Sequence, residues 1–416
     1  MTNQAETSIR RSVGFLIGMS MLMLGANLVW TAYNSLLLPT LVEGVIKNGK
    51  GLATGLIGFF GTVLAIIVSL LSGILIGSLI GLPLISLPTL LLAPASQPAF
   101  LSLALPVIIL SYCGMQFATN VGNGAWWPLL VDVVPEHQRG LASGIQGALT
   151  LVGATIAIVV VTILIQNGQI MASLWLVGGV FALSGIVNVL VIYGRDKPAG
   201  QSDKISLLKA VRDMFKVRTR VRVFFWVVAA VFLAYMGING LQFFAFYFFQ
   251  VYFPAVNPEA AFRTMGAISL VMTLLASVGA GLFSDRIGRR PLILWAMFVC
   301  AVVTLLMGLT NNYVVFLILS ALRAAATGPI IASSPALASD LAPKDEAGQY
   351  MAYNNLTTAL SGALAGLIFV VILVTLTRTT FRFLFIISAI LFLLGGIVFA
   401  LRVSQKEIDT RIGQAV

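Results

Sequence analysis

Residues 51–131 read GLATGLIGFFGTVLAIIVSLLSGILIGSLIGLPLISLPTLLLAPASQPAFLSLALPVIILSYCGMQFATNVGNGAWWPLLV and contain no charged side chain. The run is 81 residues long, whereas one helix needs about 20 apolar residues to cross a bilayer. Of the 416 residues in the whole chain, 59% are hydrophobic and 9% are charged. A soluble domain carries about 25% charged residues, so this chain has too few to cover a water-facing surface. The sequence therefore predicts a polytopic helical membrane protein.

Uncharged windows on both sides of this run raise the predicted number of membrane spans to twelve. One span falls in residues 12–42, three in 51–131, two in 140–194, one each in 223–258 and 264–284, two in 291–339, and one each in 347–377 and 383–401. These segments are apolar all round, and only helices or closed barrels satisfy their own backbone in lipid. We therefore expect an all-α membrane protein with twelve transmembrane helices.

A polar segment, residues 195–222, separates spans six and seven and carries nine Lys or Arg residues. Within it Leu208, Val211 and Phe215 share one helical face, which is typical of a short helix on the membrane surface. A solvated linker is an equally acceptable interpretation. The predicted organisation is an N-terminal six-helix bundle over 1–194, this cytoplasmic linker, a C-terminal six-helix bundle over 223–402 and a cytoplasmic tail over 403–416.

The cations are distributed unevenly between the two faces of the membrane. If both termini and the linker are cytoplasmic, 19 of the 25 Lys and Arg residues lie on the cytoplasmic side, five lie outside, and Arg323 lies within a span. This bias is the positive-inside signal that orients helical membrane proteins. We therefore expect a multi-pass protein of the cell (inner) membrane with both termini in the cytoplasm. Cations in short runs between apolar segments fit this role, so we expect no nucleic-acid partner.

The loop after span four recurs after span ten. It reads DVVPEHQRG at residues 132–140 and DLAPKDEAG at residues 340–348, an offset of 208 residues, which is half of the chain. Asp, Pro and Gly coincide in the two loops. A parallel repeat of six spans is a known transporter architecture, in which the solute binds at the repeat interface near the membrane midplane.

The loop between spans eight and nine reads GLFSDRIGRR at residues 281–290. It resembles the cytoplasmic loop signature of the major facilitator superfamily, G-x-x-x-D-R-x-G-R-R, and with the span count, the linker and the repeat the resemblance covers the whole chain. It implies the major facilitator fold, with two pseudo-repeated six-helix bundles and a charged clasp that stabilises one of two alternating states. In this clasp Asp285 can pair with the arginines of the loop. The residues implied in gating are Gly281, Asp285, Arg286, Gly288, Arg289 and Arg290, together with Asp132, Arg139 and Asp340 of the repeated loop. Ordinary positive-inside charge is the alternative interpretation.

The matching loop of the first half, between spans two and three, has no charge. The resemblance predicts a charged loop near Leu75 and Ile76, but residues 72–83 read SGILIGSLIGLP. Two interpretations are open: the motif is present without its charges, since its Gly and Pro keep the offset of 208 residues, or the loop is absent. We prefer the second, because span three must begin near Ile76 to reach the outer turn at 94–98.

Polar side chains inside membrane spans are costly unless they face a partner or a wet cavity. In this chain they concentrate on spans one, four, seven and ten, which the resemblance identifies as the helices that line a central cavity. The predicted substrate-binding residues are Asn27, Trp30, Tyr33 and Asn34 on span one, Gln116, Asn120, Asn123 and Trp127 on span four, Asn239, Gln242 and Phe246 on span seven, and Arg323 on span ten. The alternative interpretation is that these amides only join helices to one another.

The composition of this set favours a neutral, polyhydroxylated solute. Side-chain amides offer donors and acceptors to hydroxyl groups, and aromatic rings offer flat apolar faces to a sugar ring. Arg323 stands apart, because a cation at the centre of a span costs roughly 2.5–3.5 kcal/mol on insertion scales. It should face the interior, where its partner is a substrate oxygen, a substrate carboxylate or an opposing amide. Snorkelling to the outer surface is the competing explanation.

Several classes of function are disfavoured by the residues that the chain lacks. His137 is the only histidine, and Cys113 and Cys300 both lie in apolar runs, so we expect no metal site and no disulfide framework. No Gly-rich phosphate loop with its lysine is present, which argues against ATP-driven transport. No enzyme signature appears, and we expect no cofactor. All 14 acidic residues fall at span ends, in loops or in tails, so symport through a buried carboxylate is not supported.

The predicted function is alternating-access transport of a small polar solute, preferably a sugar or a glycoside. The segment WTAYN at residues 30–34 and the loop at 132–140 resemble the glycoside and sucrose-type cation symporter branch of the family. An exporter of amphiphilic compounds is the first alternative, disfavoured because residues 148–165 contain only Gly153 and no proline. A non-transporting sensor or degenerate relative is the second. The expected partners are a small-molecule substrate, the lipid bilayer and a coupling cation, proton or sodium, unless transport is facilitated diffusion. We expect a monomer.

Overall fold

The computed structural model describes residues 11–46, 50–75, 105–106, 108–110, 112–117, 119–120, 133–135, 138–193, 221–254, 256–343, 347–372 and 376–408. The helices, in chain order, are α1 (Val13–Ala32), α2 (Leu38–Val45), α3 (Lys50–Leu75), α4 (Arg139–Ile156), α5 (Thr162–Gln166), α6 (Ile170–Ile192), α7 (Arg222–Phe243), α8 (Ala245–Tyr252), α9 (Pro258–Ile287), α10 (Arg289–Leu309), α11 (Tyr313–Leu341), α12 (Ala347–Ile372) and α13 (Arg378–Arg402). Two π-helical segments, Tyr33–Leu37 and Ala157–Val161, join α1 to α2 and α4 to α5.

Within these ranges, eight helical runs are long and apolar enough to cross a membrane. They are Val13–Val45, Gly144–Gln166, Ile170–Ile192, Arg222–Gln242, Pro258–Gly281, Arg289–Leu309, Tyr313–Leu341 and Arg378–Arg402. Shorter apolar helices at Leu52–Ala65, Ile108–Phe117 and Leu356–Phe369 fall in predicted spans two, four and eleven.

The all-α fold class is thereby confirmed. The count of twelve stays a prediction, because span three lies outside the described residues. The same holds for the missing loop: α3 ends at Leu75, and Ile76 is not described.

The chain packs as two compact units. The first comprises Met1–Tyr33 and Leu64–Asp213, and the second comprises Asn34–Val63 and Met214–Val416. Residues 34–63 belong to the predicted N-terminal bundle, yet they pack within the second unit. The chain leaves the first unit inside the first π-helical segment. The predicted limits of the two bundles and of the linker stay predictions.

In the first unit, α1 packs against both α4 and α6. A Cβ atom added to Gly153 of α4 would lie 2.2 Å from the carbonyl oxygen of Leu24, so only glycine allows this approach. Across the α1–α6 contact, the fully buried Asn188 donates a hydrogen bond from Nδ2 to the carbonyl oxygen of Met19. Both contacts hold α1 close to its neighbours, which fixes the direction of its polar side chains.

In the second unit, α7 packs against α12 and α13, α10 against α11 and α13, and α9 against α11. The α9–α11 contact is partly polar. The hydroxyls of Thr273 and Ser277 donate to the carbonyl oxygens of Ala324 and Gly328, at 3.1 and 3.2 Å. These two bonds, one helical turn apart, fix the rotation of α11 about its axis and therefore the direction in which Arg323 points.

A single residue, Gly288, turns the chain from α9 into α10. Its φ of +88° is a backbone conformation that residues with a Cβ rarely adopt. The second glycine of the GLFSDRIGRR signature is therefore required by this turn.

Candidate functional site

The predicted residues of span one lie along α1 and the π-helical segment that follows it. Asn27 is half-buried and donates from Nδ2 to the carbonyl oxygen of Met23, 3.0 Å away in its own helix. Trp30 is 37% exposed, whereas Tyr33 and Asn34 are buried. The Oη atom of Tyr33 is enclosed and has no hydrogen-bond partner in the described part of the chain.

The described part of span four repeats this pattern. Gln116 is buried, and its Nε2 lies 3.5 Å from the hydroxyl of Tyr112, at the limit of hydrogen bonding. Its Oε1 is enclosed without a partner among the described residues. Asn120 is half-buried and donates from Nδ2 to the carbonyl oxygen of Gln116 at 2.8 Å. Asn123 and Trp127, predicted to extend the stripe, lie outside the described residues.

The predicted residues of span seven lie on two helices. Asn239 donates from Nδ2 to the hydroxyl of Ser361 at 3.2 Å and so joins α7 to α12, as expected of an amide that links helices. Gln242 is half-buried near the end of α7. The helix is interrupted at Phe244, with φ −113° and ψ 6°, and resumes as α8, which carries Phe246. The side chain of Phe246 lies outside the description, and the role of these residues in binding stays a prediction.

Arg323 lies on the buried face of α11. The residues four, seven and eleven positions further along, Thr327, Ile330 and Ser334, are all buried. The hydroxyl of Ser334 lies within hydrogen-bonding reach of the hydroxyl of Tyr235 on α7, so this face is directed toward α7. The side chain of Arg323 is half-buried, and its Nε is enclosed without a partner among the described residues.

The exposed apolar residues of α11, such as Val314, Ile318 and Leu322, lie on other faces of the helix. The position of Arg323 thus fits the interior orientation that the sequence favours over snorkelling. Its role in binding stays a prediction.

Two predicted gating residues form an ion pair. Arg289, at the start of α10, donates from Nη1 to a carboxylate oxygen of Asp340 near the end of α11, and the two side chains are 29% and 33% exposed. Arg290 instead donates to backbone carbonyl oxygens at the end of α13, from Nε to Val403 and from Nη2 to Ala400. The signature loop is therefore tied to two neighbouring helix ends.

The remaining gating residues are only partly described. Gly281 lies exposed on α9, and Arg139 is the first residue of α4. Asp132 and the side chains of Asp285, Arg286 and Arg139 lie outside the description, so the predicted pairing of Asp285 with arginine stays a prediction.

The second unit contains a polar cluster that the sequence did not reveal. The hydroxyl of Tyr247 on α8 donates to the carbonyl oxygen of Pro39 at 2.9 Å and lies 3.1 Å from the hydroxyl of Thr54. Gln250 donates from Nε2 to Oε2 of Glu43 at 3.2 Å. We call these five residues the outer cluster, because they lie on the side that the positive-inside rule predicts to be the outer face. Tyr247 and Pro39 are 208 residues apart, which equals the offset of the repeated loop. The contact therefore joins equivalent positions of the predicted repeat. The repeat offset is the sequence signal that could have predicted it.

The described carboxylates lie at helix ends. Glu43 is near the end of α2, Glu259 in the first turn of α9, Asp340 near the end of α11, and Glu407 beyond α13. Within the described ranges, no group of three His, Cys, Asp or Glu side chains is placed to hold a metal ion.

Residues 242–415 match the sequence profile of the Major Facilitator Superfamily. Among curated proteins, the chain is 31% identical over 110 residues to the MFS-type transporter clz19 of Cochliobolus lunatus, which is 24% of this chain and 21% of that protein. It is 33% identical over 98 residues to Quinidine resistance protein 1 of Saccharomyces cerevisiae, covering 23% and 17% of the two chains. The similarity to these relatives therefore spans only about a fifth of their length.

Solved structures match nearly the whole chain at low sequence identity. The D-xylose-proton symporter superposes with a TM-score of 0.71 at 15% identity, covering 95% of this chain and 99% of that one. The nucleoside transporter NupG superposes with a TM-score of 0.69 at 14% identity, covering 94% and 100%. A bacterial homologue of ferroportin gives a TM-score of 0.70 at 16% identity, covering 95% and 100%. The C-terminal part of the chain is thus similar in sequence to the Major Facilitator Superfamily, and the fold of the chain is that of these transporter structures.

Proposed function

We propose that this chain is a secondary transporter that moves a small polar solute, a sugar or a glycoside, by alternating access. In this proposal it spans the inner membrane as a monomer with both termini in the cytoplasm. The similarity to the Major Facilitator Superfamily supports transport rather than catalysis, because the similar proteins are described as transporters. The D-xylose-proton symporter supports a sugar as the solute only by its fold.

Two buried polar atoms carry this proposal. The Oη of Tyr33 and the Oε1 of Gln116 have no hydrogen-bond partner among the described residues, although their side chains are only 1% and 2% exposed. An unsatisfied buried polar group costs about 1–3 kcal/mol, so such groups usually meet water or a ligand. Both atoms belong to the stripes on spans one and four that we expect to bind the solute. A hydroxylated solute can supply the hydrogen bonds that they lack.

Counterflow of a panel of sugars and glycosides in proteoliposomes tests the proposal. Replacing Asn120 or Gln242 by Ala should weaken the affinity for the transported solute about tenfold, because the loss of a hydrogen bond or two is worth about 1.4 kcal/mol. Expression should change little. Gln169→Ala is the matched control, since this exposed amide makes no capping bond. Wild-type affinity in both variants would show that these residues do not bind the solute.

Coupling is measured in the same vesicles. Accumulation that collapses on adding a protonophore identifies proton coupling, and accumulation that requires sodium identifies sodium coupling. Equilibration without accumulation under either gradient identifies facilitated diffusion.

Export of amphiphilic compounds is the second candidate function, favoured by the similarity to Quinidine resistance protein 1. Quinidine is therefore the probe for this alternative. Efflux of quinidine from loaded vesicles, without sugar counterflow, would replace the sugar proposal by the exporter. No flux of any solute would contradict transport and favour a non-transporting relative.

A further inference from the structure

Arg323 is a cation at the middle of a membrane span. It is the eleventh residue of α11, which begins at Tyr313. With a rise of 1.5 Å per residue, it lies about 15 Å from the start of that helix, roughly half the thickness of the hydrocarbon core. A charge at this depth is unfavourable unless it meets water or an opposite charge.

In the second unit, three described polar side chains near Arg323 are directed to backbone carbonyl oxygens. The neighbouring hydroxyls of Ser320 and Thr327 donate to carbonyl oxygens of their own helix, those of Leu317 and Ala324, at 2.8 Å. The thiol of Cys300 is directed to the backbone, with its Sγ 3.9 Å from the carbonyl oxygen of Arg323. The enclosed Nε has no partner among the described residues, while the half-buried side chain remains partly accessible.

No described carboxylate lies at this depth. The described acidic residues with placed side chains, Glu43, Glu259, Asp340 and Glu407, lie at or beyond helix ends. The sequence predicts that all 14 acidic residues lie at span ends, in loops or in tails. Leaving a buried charge without its partner is strongly destabilising, so such a charge needs one. The described part of the chain does not supply this counter-charge, which points to the solute as its source.

We infer that the transported solute carries a carboxylate, which Arg323 binds. This inference rests on the proposed transport function and narrows its substrate class from sugars in general to polyhydroxylated carboxylates, that is, sugar acids. The planar guanidinium presents donors that match both oxygens of a carboxylate, and charge-assisted hydrogen bonds of this kind are about twice as strong as neutral ones.

Binding to the purified full-length protein in detergent tests the inference, with gluconate, glucose and succinate as probes. Isothermal titration should show that the wild type binds gluconate at least about tenfold more tightly than glucose. In Arg323→Gln this preference should fall to about twofold or less, because the charge is removed while hydrogen-bonding capacity remains. Arg323→Lys should keep part of the preference. Arg263→Gln is the control, since this arginine lies near the start of α9 and not at mid-span.

The outcomes separate the inference from the transport proposal. Equal affinity for gluconate and glucose in the wild type, unchanged in Arg323→Gln, overturns the carboxylate inference and leaves sugar transport standing. Preference for succinate over gluconate, lost in Arg323→Gln, supports the carboxylate and overturns the sugar part of the proposal. No binding and no vesicle uptake of any of the three solutes overturns both. The melting temperature without ligand checks that each variant is folded. If Arg323→Gln is not folded, the affinities of Arg323→Lys for gluconate and glucose test the inference instead.

Discussion

The amides that mark the predicted site do not all play the same part. Asn239 is used to join α7 to α12 through Ser361, so for this residue the structure matches the helix-joining interpretation. Asn27 and Asn120 each donate a hydrogen bond from Nδ2 to a carbonyl oxygen of their own helix. Gln116 keeps an enclosed oxygen without a partner among the described residues. Amide side chains of the predicted site thus have different hydrogen-bond partners, because different groups pack against each of them.

Glycines of span five differ in the same way, and this gives a prediction for single residues. Gly153→Ala should lower the melting temperature, because the new Cβ would lie 2.2 Å from the Leu24 carbonyl oxygen and α1 and α4 must separate. Overpacking of this kind typically costs about 1–3 kcal/mol. Gly147→Ala is the control: nothing lies within 4 Å of its Cβ position, and alanine is the better helix former. Equal melting temperatures for the two variants would contradict the close contact of α1 with α4.

At the scale of elements, the signature loop connects helix ends that are far apart in sequence. Gly288 makes the turn, Arg289 reaches Asp340 on α11, and Arg290 reaches carbonyl oxygens at the end of α13. The resemblance named these residues for gating, yet it suggested Asp285 as the partner of the arginines. The pair with Asp340 connects the signature to the repeated Asp–Pro–Gly loop, which sequence comparison alone had treated as a separate motif.

A double-mutant cycle tests this pair. Arg289→Gln and Asp340→Asn should each lower the free energy of unfolding, and the double variant should lose no more than either single one. The coupling should be about 0.2–1 kcal/mol, because both side chains are about one-third exposed and solvent screens them. It should decrease further in 1 M salt. Additive effects of the two substitutions, at low salt, would show that the pair does not form in solution.

At the scale of the whole molecule, residues 34–63 pack within the second unit. The outer cluster contributes polar contacts between residues 34–63 and α8. Tyr247 contacts Pro39 and Thr54, and Gln250 donates to Glu43. In alternating access the outer ends of the repeats separate and rejoin. The outer cluster joins residues 34–63 to α8 within the second unit, and we predict that it stabilises the outward-closed state of this cycle.

Tyr247→Phe removes the hydroxyl at the centre of the outer cluster and should favour opening. Loss of its bonds is worth about 1–2 kcal/mol, which changes a population ratio by a factor of about 5–30. The measurement is the rate at which an external, membrane-impermeant thiol reagent labels Asn34→Cys, with Cys113 and Cys300 replaced by Ala. Tyr252→Phe is the matched control, since that hydroxyl donates to Gly308 and not to residues 34–63. An equal rate increase in both variants would contradict the gating role of Tyr247.

The amino-acid sequence by itself determined that this is a helical membrane protein, and it predicted which face carries most of the cations and that no acid lies at mid-span. These properties are local, because an apolar segment in lipid must satisfy its own backbone and so forms a helix whatever its neighbours are. Only the tertiary structure decided that residues 34–63 join the second unit, that Arg289 pairs with Asp340, and which amides bond within a helix. The contacts between helices join residues 51 to 208 positions apart in sequence, and they depend on how helices rotate and approach one another, which close packing fixes and no local pattern of residues encodes.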